Sequence, residues 1–249
     1  PRVDACSAIV EDEDGQPEMW VMGGFDGRFP LATVEAYNPR TNTWRSWLPL
    51  SQHRTRAVAG VIGGRLVVAG GYAGGVGRLT SVEAYTPTGW IRLPPLPHIA
   101  TAATACVLNG RLYVMGGEEC NKLQVLEMSE ENEFTWTVKA ELPAQRFEAA
   151  SVAHEGKIWL ITGTSVDIYD PASDSWSAGP ALPHRKGLFD GFFKAAPYKA
   201  ATHEGQVRLF SLRGPELAYR DGAWLRITGG LEFGVRVNVC DAFESVLLG

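Results

Sequence analysis

Six arginines, Arg28, Arg54, Arg56, Arg78, Arg146 and Arg185, stand in or just after short stretches rich in Gly or Pro, and Phe25 and Tyr72 lie among them. A guanidinium grips a carboxylate through two parallel N–H···O bonds, and Arg beside an aromatic ring is the composition of binding hot spots. The residues with which proteins make and break bonds are scattered instead. The five histidines (His53, His98, His154, His184, His203) show no pair at ligand spacing, and the four cysteines (Cys6, Cys106, Cys120, Cys240) form no C-x-x-C and no zinc pattern. Glu148 and Asp190 are the carboxylates to consider as general acid and base, although a surface carboxylate accounts for each more simply. Gly75-Val76-Gly77 lacks the third glycine and the helix of a phosphate loop, and there is no G-x-S-x-G elbow. A binding protein without catalytic residues, metal or cofactor is therefore expected.

The elements that carry these residues repeat. Val21-Met22-Gly23-Gly24, Val68-Ala69-Gly70-Gly71, Val114-Met115-Gly116-Gly117 and a worn Ile161-Thr162-Gly163 follow one another at 46 or 47 residues, a period that means an array or a propeller. Each Gly pair ends a strand-like run, Met19 to Val21, Arg65 to Ala69, Arg111 to Met115 and Lys157 to Ile161, and a second such run precedes it across a tight turn, Gly63-Gly64, Asn109-Gly110 or Glu155-Gly156. A third run follows a variable loop: Val34-Glu35-Ala36-Tyr37, Val82-Glu83-Ala84-Tyr85 and Val166-Asp167-Ile168-Tyr169, with Leu126-Glu127-Met128-Ser129 departing in the third repeat. A Trp then comes 7 residues on (Tyr37 to Trp44, Ser129 to Trp136, Tyr169 to Trp176) or 5 (Tyr85 to Trp90, Tyr219 to Trp224), and Leu-Pro closes several units. Each unit thus predicts four antiparallel strands, a to d, and units of this kind in radial array are propeller blades.

Paired Gly, then Tyr, then Trp at this period resembles the kelch repeat, clearly over residues 1 to 183 and weakly beyond. The resemblance implies an all-β kelch propeller with blades at about 1–50, 51–97, 98–143, 144–183 and 184–230 and a partial sixth at 231–249. Kelch rings usually close at six blades by pairing strands from both termini, so the chain is expected to be part of a longer protein; a five-bladed ring closed by Val235 to Leu248 is the alternative. The copper propellers of this architecture imply a Tyr, His and Cys set that cannot be placed here and the iron ones a Glu-x-x-x-Asp-x-x-x-His motif that is absent, whereas a sugar-converting one implies scattered polar residues.

Antiparallel strands sort their loops. The b–c loops and d–a connections emerge on one face and are expected to carry Arg28, Arg54, Arg56, Arg78, Lys122, Arg146, Arg185 and Lys186 with Phe25, Phe29 and Tyr72; Glu118 and Glu119 are its acidic exceptions. The other face takes Glu11 to Asp14, Glu155, Asp170, Asp174 and Glu204. In kelch substrate adaptors of ubiquitin ligases the first face reads short acidic peptides, and Arg56 before strand a, Tyr72 and Phe25 after the Gly pairs, and Arg146 match contact positions. The expected partner is thus a protein or acidic peptide bound by Arg56, Tyr72, Phe25, Arg28, Arg54, Arg78, Arg146 and Arg185, in a BTB/kelch or F-box/kelch setting. A cytoskeletal scaffold, or a sugar mutarotase or epimerase, is the alternative. The net charge of −5 argues against nucleic-acid binding, and no run approaches the ~20 apolar residues of a membrane span. Three cysteines fall in predicted a strands as small apolar residues, whereas Cys120 falls in a b–c loop as a candidate exposed thiol; the pattern suits a reducing, intracellular compartment.

Overall fold

The computed structural model describes residues 1–163, 165–183, 198–203, 205–211 and 216–227. His184, Arg185, Lys186, Asp190, Glu204, Cys240 and the partial sixth unit lie outside these residues.

Alternation and turn chemistry build five four-stranded antiparallel sheets. The first blade holds β1 (Cys6–Glu11), β2 (Pro17–Met22), β3 (Val34–Asn38) and β4 (Thr43–Trp47); the second holds β5 (Val58–Ile62), β6 (Arg65–Ala69), β7 (Val82–Thr86) and β8 (Gly89–Leu93). The third holds β9 (Thr104–Leu108), β10 (Arg111–Met115), β11 (Leu123–Met128) and β12 (Phe134–Lys139); the fourth holds β13 (Ala150–His154), β14 (Lys157–Thr162), β15 (Ser165–Asp170) and β16 (Ser175–Ala178). The fifth holds β17 (Tyr198–His203), β18 (Gln206–Ser211), β19 (Leu217–Arg220) and β20 (Ala223–Arg226). The a–b hairpins of the second, third and fourth blades turn on residue pairs that both have positive φ, such as Asn109 (51°) and Gly110 (71°), which matches the twist of the strands they join.

The inner strands follow one another as β1, β5, β9, β13 and β17 around a central channel. Among the described residues the apolar core is not one mass but four layers, each between two neighbouring blades. Strand b is sandwiched on both sides, so Leu66 to Ala69 is a continuous buried run: Leu66 and Val68 pack toward the first blade, Val67 and Ala69 toward the third.

The Trp of strand d bridges these layers. Its indole N–H donates to a carbonyl of the preceding blade in four cases: Trp90 to Leu48 (2.9 Å), Trp136 to Pro94 (2.9 Å), Trp176 to Ala140 (3.1 Å) and Trp224 to Pro180 (2.9 Å). Trp44 pairs with Tyr37 in the same register, yet no described blade precedes it and it is 48% exposed. The third blade corrects the expected spacing. Trp136 lies opposite Leu126, not Ser129, because Ser129 belongs to a longer c–d turn whose backbone its hydroxyl and carbonyl organise.

The Gly pairs are explained by close approach between blades. A Cβ on the first Gly would lie 2.3 Å from a d–a connection carbonyl: Arg54 O for Gly23, Ala100 O for Gly70 and Arg146 O for Gly116. The next residue donates its N–H to that same carbonyl, Gly24 to Arg54 (2.8 Å), Gly71 to Ala100 (2.7 Å) and Gly117 to Arg146 (2.7 Å). In the fourth blade Thr162 takes the first Gly place and instead extends β14, paired with Ser165.

Candidate functional site

Three sets of equivalent residues converge where the b–c loops and d–a connections meet the channel mouth. The deepest is Arg2, Arg54, Ala100 and Arg146, followed two residues on by Asp4, Arg56, Ala102 and Glu148, and then by the residues after the Gly pairs, Phe25, Tyr72 and Glu118.

The deepest set is structural. Arg54 is 0% exposed; it donates to Gly70 O (2.7 Å), Ser81 O (3.1 Å), Ser81 Oγ (3.2 Å) and Glu83 Oε1 (2.6 Å). Arg2 repeats this on Gly23 O (2.9 Å), Thr33 O (3.1 Å) and Glu35. Arg146 holds Asp167 through Nε (3.1 Å) and Nη2 (2.7 Å). The expectation that Arg54 meets a partner is therefore corrected: its fork is buried and spent on its own blade. Arg146 is likewise the counterpart of Arg54 rather than of Arg56, and its guanidinium is committed to strand c. In the third blade Ala100 and a buried Gln124 stand where the first, second and fourth blades have Arg and a carboxylate.

The second set lines the mouth. Asp4, Arg56, Ala102 and Glu148 all have left-handed backbone, φ 53°, 54°, 53° and 50°. Each blade's member donates its N–H to the preceding one: Arg56 to Asp4 (2.8 Å), Ala102 to Arg56 (3.1 Å) and Glu148 to Ala102 (3.0 Å). This chain of bonds holds a conformation that is otherwise uncommon for residues with a Cβ. It also aligns Glu148, the sequence's acid/base candidate, with Arg56. Glu148 is exposed on the rim.

The third set faces outward. Tyr72 is 40% exposed and its backbone bridges Thr55 and Arg78; Phe25 is half-buried, bridging Val3 and Pro30. Arg28 is exposed on the first b–c loop, where its N–H and that of Phe29 bind Asp26 at 2.7 and 2.8 Å and hold that carboxyl below its ordinary range. The tips of the first two b–c loops expose Phe29 (69%) and Val76 (66%), and they lie side by side, since a Cβ at Gly74 would be 3.7 Å from Pro30 Cδ.

The charge of this face differs from the pattern the sequence suggests, because the two acidic exceptions are placed on the arginines. Arg56 Nη1 binds Glu118 Oε1 at 2.9 Å while its Nε binds Asp4 Oδ2 at 3.1 Å. Arg78 Nη1 binds Glu119 Oε2 at 2.5 Å and its Nη2 reaches Glu118 Oε2 at 3.4 Å. The bond to Asp4 and then the fields of Asp4, Glu118 and Glu148 raise the pKa of Arg56, while Arg78 lowers that of Glu119. Lys122 is taken by Glu141. Among the described residues Arg28 forms no ion pair. Spacing alone could not show this pairing, since Arg78 and Glu119 are 41 residues apart.

The channel offers less chemistry. Its walls are mainly Ala, Val, Gly and Cys from the inner strands, with Ser7, Thr104, Lys199 and Thr202 as polar members. Tyr113 and Tyr169, whose pKa values burial pushes up, sit in the layer between the third and fourth blades. Cys120, expected as an exposed thiol, is buried behind its loop and its N–H bonds Gly117 O. Among the described residues no three His, Cys, Asp or Glu gather as metal ligands, and no helix is long and apolar enough to cross a membrane.

The kelch motif model matches residues 16–46 and 53–97, the first two blades. Kelch-like protein 35 of Mus musculus is 27% identical over 170 residues, 68% of this chain and 22% of that protein. Kelch-like protein 34 of Homo sapiens is 27% identical over 173 residues, 64% of this chain and 27% of that protein. The solved structure of YjhT superposes with a TM-score of 0.72 at 12% identity, covering 92% of this chain and 84% of that one, a likeness of fold. The chain is a kelch-repeat β-propeller. It spans about a quarter of the length of the kelch-like relatives it matches. As a kelch propeller with kelch-like relatives it is supported as a protein-interaction module.

Proposed function

We propose that this kelch propeller docks a segment of a partner protein on the b–c and d–a loop face of its first three blades. The supporting observation is the convergence of Arg56, Arg78 and Tyr72 at the channel mouth beside the exposed Phe29 and Val76, with Arg28 and Phe25 on the same rim. Aromatic and guanidinium groups on a rigid rim supply contact area at little cost in ordering. By the kelch resemblance, the docked protein is a substrate and the propeller its adaptor in a ubiquitin ligase, acting in the cell interior.

The test is a peptide-display selection on the full chain, repeated with Arg56→Ala and Tyr72→Ala. Binders that both changes weaken support the loop face. Binders indifferent to both, but lost when Glu13 and Asp14 on the opposite face are changed to Ala, refute it. For the adaptor role, ubiquitylation of a selected partner must fall with Tyr72→Ala; modification that is unaffected removes that role.

A further inference from the structure

The two carboxylates on the arginine forks belong to one dipeptide. Glu118-Glu119 directly follows Gly116-Gly117, at the place where the first two blades carry Phe25 and Tyr72. Its backbone is fixed: Glu118 donates its N–H to Thr101 O at 2.8 Å, and Glu119 is left-handed at φ 57°. Its side chains are not buried, so leaving Arg56 and Arg78 requires only rotamer changes into water. Exposed ion pairs of this sort hold weakly and exchange readily.

We propose that Glu118-Glu119 is an internal acidic dipeptide that occupies the Arg56 and Arg78 forks until the carboxylates of a partner segment displace it. This rests on the docking face proposed above and specifies its partner as acidic. A partner's carboxylates would replace the internal ones like for like, keeping both guanidiniums paired; a basic segment would bring its cations against Arg56 and Arg78. The dipeptide also sets a threshold. Asp4, Glu118, Glu119 and Glu148 act on Arg56 and Arg78, four carboxylates against two guanidiniums, so the mouth carries a local net charge of −2 that opposes an acidic partner. Neutralising Glu118 and Glu119 brings it to zero and releases Arg78 and the Nη1 of Arg56, whose Nε keeps Asp4.

The experiment measures fluorescence anisotropy of a labelled Ala-Gly-Glu-Glu-Gly-Ala peptide, with Gln-Gln and Lys-Lys counterparts, on the full chain and its E118Q/E119Q variant. Thermal melts verify that both are folded. The variant is expected to bind the acidic peptide roughly three- to thirtyfold more tightly, the gain from losing two exposed competing pairs. The gain should shrink with salt and vanish when Arg56→Ala is added. Unchanged, weakened or undetectable binding of the acidic peptide to the variant overturns the proposal. So does a Lys-Lys peptide that binds the parent and is lost in the variant, which would make the carboxylates the contact. If E118Q/E119Q has no effect while Arg56→Ala and Tyr72→Ala still abolish binding of selected peptides, the internal competitor fails and the docking face stands. Indifference to all of these changes rejects both.

Discussion

Replacing Arg54 by Ala should reverse the sign of a second substitution. The guanidinium is fully buried and supplies Glu83 with a hydrogen bond of 2.6 Å; the other carboxylate oxygen takes only the Ser51 N–H at 2.7 Å. Arg54→Ala leaves that buried carboxylate short of its countercharge and removes the donors at Gly70 O and Ser81 O. Breaking one side of a buried pair costs about 3–5 kcal/mol, which in a chain of this size lowers Tm by roughly 6–20 °C. The third blade shows how the same place is built without charge, with Ala100 and Gln124. Glu83→Gln should therefore destabilise the parent, where it breaks the pair, but stabilise the Arg54→Ala protein, where it removes an uncompensated charge. The coupling expected between neighbours of this kind is about 1–3 kcal/mol. Urea denaturation followed by circular dichroism on all four proteins measures it. If Glu83→Gln destabilises both backgrounds equally, the buried pair is not the lock between loop and strand c that its geometry indicates.

Three further outcomes follow from the blade contacts. Trp136→Phe removes the indole bond to Pro94 O and should cost about 1 kcal/mol or more, whereas Trp44→Phe should stay within about 0.5 kcal/mol; equal losses in thermal melts would show that the bond across blades does not matter. Gly64→Ala, at φ 73° with open space, should cost about 1–2 kcal/mol for its left-handed backbone alone. Gly70→Ala also drives a Cβ to 2.3 Å from Ala100 O and should at least double that loss, read in the same denaturation experiment. Asp174 accepts the Ala140 N–H at 2.9 Å and the Tyr169 hydroxyl at 2.7 Å, and the Ala140 bond first, then Tyr169, holds its pKa below the ordinary value. A folded pKa depressed in this way contributes stability that is present above the unfolded value, ~3.9, and is lost as pH falls through the folded one. Asp174→Asn should therefore flatten the loss of stability between about pH 5 and 2; an unchanged acid profile would refute the assignment.

The period of 46 to 47 residues, the turn pairs and the placement of Tyr and Trp were local signals, and they were sufficient for the blades and for which loops share a face. Strand alternation and left-handed turns depend on neighbours in sequence, so a reader of residues alone can find them. The register of Trp136 was less legible, because the lengthened c–d hairpin of the third blade changes spacing without changing the pairing it serves. The roles of the arginines were not legible at all. Arg54 and Arg56 are two residues apart on one connection, yet one is buried on Glu83 and the other meets Asp4 and Glu118 at the mouth. Their partners come from 29, 52 and 62 residues away, on other strands and blades. Composition could place positive charge on a face. Only the packing of one blade against the next decided which of those charges were already spent, since an ion pair depends on distance in space and the sequence records only distance along the chain.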